Sequence, residues 1–337
     1  MSSVNDVAGL AVGGEPATDR PAASGLWLGG LAASAAWLAA AALTALWPET
    51  EEWARTGEFA SLLAVVGGAL AFAAPLLRLF GAVGERLRAT APWLLVLALG
   101  LIAWEVVTAK LDLLPRPFFA PPQALLEVYL DEWPRLIECT VASLKLLLLG
   151  YAIGAFVGFV TGVSIGWSQA VGYWVHPVLR LIGPLPATAW LPIAFFAFPS
   201  SWSASVFLIA LATGVPVTIL TWSGVAGVNP AYYDIARTLG ASNRFLVMKV
   251  AVPAAMPHVF VGLFMGLGGS FAVLVVAEMM GVKAGLGWYL QWAQGWAAYA
   301  NMYAALLVTA LVCSGLVTLL FKVRDRLLAW QKGMMKW

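Results

Sequence analysis

The sequence predicts an all-α membrane protein with eight spans, on three observations. Of the 337 residues, 61% are hydrophobic and only 11% charged, against about 45–50% and 25% in ordinary soluble domains. Apolar runs recur at the length, about 20 residues, that a helix needs to cross a hydrocarbon core. Lys and Arg fall unequally on alternate connections between those runs. The net charge of +2 is too small for a nucleic-acid protein.

The chain opens with residues 1–24, rich in Ala, Gly, Ser and Pro, which read as a flexible tail. The first apolar stretch begins late and exceeds a signal h-region, so no cleaved leader is expected. The spans fall at roughly 26–47, 60–80, 93–110, 139–166, 174–199, 202–223, 259–281 and 303–322. The fifth carries Pro177, Pro184, Pro186 and Pro192; a proline-laden run is expected to be a broken helix, part interfacial and part spanning. A basic tail, 324–337, ends the chain.

With the N-terminus inside, thirteen cations face the cytoplasm, among them Arg20, Arg78, Arg86, Arg88, Arg180, Arg237, Arg244, Lys249, Lys332 and Lys336. Five face outward: Arg55, Lys110, Arg116, Arg135 and Lys283. That bias places both termini, and the connection between the sixth and seventh spans, in the cytoplasm.

That connection is the one polar passage in the chain's centre, YYDIARTLGASNRFLVMKVAVP (232–253). Asn229 suits an N-cap and Pro230 the first helical position. Gly240 sits where a left-handed residue would close the helix, and a second helix from Ser242 or Asn243 is expected to stop by Pro253. Tyr232, Ile235, Ala236 and Leu239 make one apolar stripe, with Asp234, Arg237 and Thr238 off it. The pattern alone leaves two readings: a helix lying on the membrane surface, or a docking rod for another protein.

The residues DIARTLGASNRFLVMKVAVP resemble the EAA loop of binding-protein-dependent ABC importer permeases, E-A-A-x3-G-x9-I-x-L-P. Asp234, Ile235 and Ala236 stand for E-A-A, Gly240 for the glycine, Val250 for the isoleucine and Val252-Pro253 for L-P. HPVLRLIGPLPATAWLPIAFFAF (176–198), LIAWEVV (101–107), VVAEMMG (275–281) and GLGWYL (285–290) are similar to the branch that carries sulfonates, taurine, nitrate and bicarbonate. The resemblance implies a type I permease core of about six transmembrane helices over 93–323, with two additional N-terminal helices in 25–92. It implies a multi-pass bacterial inner-membrane protein, a second copy of itself, cytoplasmic ATPase subunits and an extracytoplasmic solute-binding protein that meets the 110–134 side. It also implies that Asp234, Ile235, Ala236, Arg237, Thr238, Leu239, Gly240 and Ala241 form the ATPase-coupling helix. ATP and Mg would be bound by the partner, because the chain has no G-x-x-x-x-G-K-[ST] phosphate cradle. No cofactor, metal or catalytic residue is expected on this chain.

Three further features carry expectations. Gly150, Gly154, Gly158, Gly162 and Gly166 lie four apart, a helix-packing groove inside the bundle or at a dimer seam. Glu105, Lys145 and Glu278 are the ionisable residues deepest in the spans. Glu105 and Glu278 are expected to hydrogen-bond near span ends, and Lys145 to snorkel outward. By family analogy Trp190, Ser270, Phe271 and Glu278 are pathway candidates. Cys139, Cys313, His176 and His258 are too scattered for a disulfide or metal site. Two other classes compete. An ion-coupled secondary transporter needs charged midplane residues and an internal repeat, and a membrane-embedded enzyme needs convergent polar groups; neither pattern is found.

Overall fold

The computed structural model describes residues 27–76, 81–115 and 117–330. The 1–24 tail, Arg20, Arg78, Arg116 and the end of the basic tail with Lys332 and Lys336 lie outside them. Among the described residues every regular element is helical. Seven helices among the described residues are long and apolar enough to cross a membrane, and an eighth candidate is a bent pair.

Two compact units divide the chain, the first taking the three N-terminal helices to Lys110 and the second Trp53–Arg55 together with Leu111 onward. The first holds α1 (Leu28–Leu46), α2 (Thr56–Leu76) and α3 (Gly81–Glu105), which runs on into a π-turn, Val106–Lys110. Small residues set α1 on α2: the Ser34 hydroxyl donates to the Gly67 carbonyl at 2.8 Å. The Trp37 indole donates to Leu94 O of α3 at 3.1 Å. That bond ties α3 to α1, and the first compact unit runs on to Lys110.

A polar knot closes this unit. The Thr44 hydroxyl donates to Glu105 at 2.7 Å, and the Lys110 ammonium donates to Thr44 O at 3.1 Å and Trp47 O at 2.7 Å. Those are the last carbonyls of α1, where a cation is favourable. Lys110, expected in an outer loop, is therefore buried as a helix cap.

The second unit comprises α4 (Pro122–Asp131), α5 (Trp133–Trp167), α6 (Gln169–Ile182), α7 (Leu191–Ala197), α8 (Ser201–Ala226), α9 (Pro230–Thr238), α10 (Asn243–Phe245), α11 (Val252–Gly281), α12 (Leu286–Gly295) and α13 (Tyr299–Leu327). The chain bends by 88° between α6 and the segment 187–197, at Gly183–Pro186. Pro177 stays inside α6 and Pro192 starts α7.

The glycine row of α5 lies against α8. A methyl group on Gly150 would strike Ile209, and on Gly158 the carbonyl of Gly214 and the side chain of Val217. Gly154 meets Thr213, Gly162 meets Thr221 and Gly166 meets Val225 in the same way. The α8 partners are also four apart, so both rows drift around their helices at one rate and stay in register. Because both series ascend together, α5 and α8 run parallel. The bent pair between them must therefore return the chain to its starting side, which makes α6 and α7 a full crossing. On the other flank of α8, Gly262 meets Val217 and Gly266 meets Thr213, an antiparallel register with α11.

Candidate functional site

At one end of the second unit the polar passage folds as a short rod closed at both ends. Asn229 Oδ1 accepts the Ala231 N–H at 3.0 Å, and Pro230 occupies the first turn. At the other end Gly240 takes φ +80°. Its N–H donates to Arg237 O at 2.9 Å, and the Ala241 N–H to Ala236 O at 3.0 Å. These two bonds satisfy carbonyls that the helix end leaves open, and only glycine adopts that backbone without strain. Nine residues give a rod of about 13 Å.

An aromatic contact packs the rod against the bundle. Tyr233 meets Trp167 of α5 edge-on, ring centroids 5.7 Å apart. It packs on a cluster of Val225 from α8, Ala251 just before α11 and Ala255 in the first turns of α11. Burial pushes its phenol above the ordinary value, so it remains a neutral packing group. The opposite face is bare: Tyr232 is 59% exposed, Ile235 60% and Leu239 83%. Asp234, Arg237 and Thr238 are exposed too, and Ala236 is partly covered. The predicted stripe thus points away from its own bundle, and the anchor is its neighbour Tyr233. Adjacent tyrosines gave no sequence signal for which would turn inward.

Pro253 does not end the second helix, contrary to the expectation. Ser242 caps α10, a π-turn follows over Leu246–Ala251, and α11 continues through Pro253 to Gly281. The Val252 N–H reaches back to Val247 O, five residues away. That wider register breaks the i→i−4 ladder just where proline lacks its N–H, so the helix survives.

The four pathway candidates separate. Ser270 is fully buried between α8 and α11, sharing a 2.6 Å hydrogen bond with Thr213 and donating to Gly266 O at 2.7 Å. Glu278 is 1% exposed and caps α12. Its carboxylate accepts from the Ser143 hydroxyl at 2.7 Å and from the Gly287 N–H at 2.8 Å, while Ser143 Oγ accepts the Leu286 N–H at 2.8 Å. A carboxylate at a helix N-terminus is well placed against the dipole. Gly285, at φ +144°, leaves the room this needs. Phe271 and Trp190 pack on one apolar cluster with Leu208 and Leu274.

Beside them a cavity of about 310 Å³ opens at the bend, lined by Gly183, Pro186, Thr188, Ala212, Gly269 and Ala272. On α11 this cavity is lined by Gly269, Ala272 and Val273, with Ser270 and Phe271 outside its lining. An apolar helix shows no polar side to mark which face is free.

Comparison with known proteins adds identity to this geometry. The family model described as "Binding-protein-dependent transport system inner membrane component" matches residues 150–330, from the glycine row through α13. The bicarbonate transport system permease protein CmpB of Synechococcus elongatus is 34% identical over 195 residues, 57% of this chain and 66% of its own length, just under two thirds. The nitrate import permease protein NrtB of the same species is 27% identical over 265 residues, covering 73% of this chain and 89% of its own. A chain in a crystal structure of an amino acid ABC transporter with histidines overlays 60% of this chain and 95% of itself, at TM-score 0.47 and 17% identity. The family match runs over more than half of the sequence and contains both the seam and the capped rod. This chain belongs to the binding-protein-dependent transport system inner membrane components, as an integral membrane permease of the ABC class.

Proposed function

We propose that the chain is the permease subunit of an ATP-driven importer for a small oxyanion of the bicarbonate or nitrate type. The substrate class follows what the two relatives are named for; sulfonates and taurine belong to the same branch by resemblance. In this reading α9 faces the cytoplasm, as do both termini, and receives a separate ATPase whose ATP and Mg this chain does not touch. A second copy completes the membrane pathway, and a solute-binding protein delivers the anion from outside the inner membrane.

The observation that carries the reading is the bare stripe of Tyr232, Ile235 and Leu239 on a rod whose ends are both closed. A closed rod moves as one piece, so a push on its outer face is passed through Tyr233 to Trp167 and the α5–α8 seam. A loose loop would absorb that displacement.

The test is uptake of labelled bicarbonate and nitrate by membranes carrying the chain with its ATPase and binding protein. Gly240→Pro removes the N–H that closes the rod and forbids φ +80°; Arg237→Glu reverses a charge on its exposed side. Both are expected to insert normally and to lose uptake. Full uptake in both variants would remove α9 from the coupling path.

A further inference from the structure

At the end of the second unit opposite α9, a cavity of about 540 Å³ opens between α5, the start of α8 and the loop after α11. Its α5 wall is one helical face, Glu138, Val141, Ala142 and Lys145, at the i, i+3, i+4, i+7 spacing that makes neighbours. Trp202 and Lys283 close the other sides. Lys145 is exposed on a long apolar span, and a charge in such a place asks for a partner. This chain supplies none: among the described residues Lys145, Lys283 and Glu138 form no ion pair. Two ammoniums against one carboxylate leave one net positive charge on the cavity.

Depth narrows the ligand. Trp167 marks the α9 end of α5 and lies 22 residues from Lys145. That is about 33 Å of helix, close to one hydrocarbon thickness of about 30 Å. With Trp167 placed at the near headgroup level, this spacing puts the Lys145 ammonium at the glycerol and phosphate level of the far leaflet. The cavity, about 540 Å³ and open on one side, has room for a ligand larger than a three-oxygen inorganic ion.

We propose that this cavity binds the phosphodiester headgroup of an anionic phospholipid from that leaflet. Lys145 and Lys283 take the phosphate oxygens. Val141, Ala142 and Trp202 cover the glycerol and upper acyl carbons, and Glu138 accepts a hydrogen bond from a headgroup hydroxyl. The inference needs only a membrane-spanning chain and stands whether or not α9 docks an ATPase.

The experiment uses the full chain in phosphatidylethanolamine nanodiscs doped with phosphatidylglycerol, followed by native mass spectrometry of retained lipid. The wild type is expected to retain phosphatidylglycerol selectively. Lys145→Ala/Lys283→Ala is expected to lose that retention by on the order of tenfold, while Lys145→Arg/Lys283→Arg keeps it and shows that folding is intact. In parallel, delipidated protein is titrated with phosphatidylglycerol, nitrate and bicarbonate and its melting followed; only the lipid is expected to give a shift that the two lysines control. Undiminished lipid retention in the alanine pair, loss in the arginine pair, or a lysine-dependent shift with nitrate or bicarbonate would overturn the proposal.

Discussion

The glycine row of α5 and the apolar stripe of α9 are both periodic patterns on one helical face, and they have opposite fates. The row is filled: each glycine lies against a residue of α8, down to backbone contact at Gly158 and Gly214. The stripe is empty: Leu239 is 83% exposed at the tip of a rod that packs on the bundle through Tyr233. Periodicity says that a face wants covering. Whether the cover comes from the same chain depends on the residues. Glycines remove side chains so that a neighbouring backbone can approach. Tyr, Ile and Leu project a surface, and here no part of the bundle covers it.

The largest expected effect therefore lies in the seam. Gly158→Leu sets a branched side chain against the Gly214 carbonyl and Val217, both on a packed helix that cannot withdraw. Overpacking of this kind costs about 1–3 kcal/mol or more. It is expected to appear as loss of monodisperse protein on size exclusion and a lowered melting midpoint. A stable, well-melting Gly158→Leu would mean that α5 and α8 are not in close register.

A smaller effect is expected at the joint between the two regions. Tyr233→Ala removes a half-buried ring from Trp167, Val225 and Ala255, at roughly 2 kcal/mol. The loss is local. Amide exchange in α9 is expected to accelerate while α5 and α8 stay protected; unchanged α9 protection would dismiss Tyr233 as the anchor. Smaller still is Asn229→Ala, which removes the cap on Ala231 at about 1 kcal/mol. It should speed exchange in the first turn of α9 only.

How much of this was legible beforehand follows the same division. The eight crossings were readable because each is a long apolar run between charges, and the fifth was marked as broken by its prolines. The caps of α9 were readable because Asn229, Pro230 and Gly240 each meet a local backbone need. The partner of the glycine row was not, since α8 is apolar all round and shows no preferred side. Tyr232 and Tyr233 are indistinguishable by type, so the anchor was missed. Pro253 misled because a π-turn, invisible to residue type, supplies the register that proline requires. Lys110 misled because, besides Glu105 nearby, its partners are the Thr44 and Trp47 carbonyls and Glu49, far away in sequence.

The stripe itself gives the most direct measurement. Ile235→Asp/Leu239→Asp places two charges on exposed positions, where the chain's own stability should change by no more than about 0.5 kcal/mol each. The variant is expected to keep the wild-type melting midpoint and lose co-purification of the ATPase. Retained co-purification at wild-type yield would show that nothing docks on that face of α9.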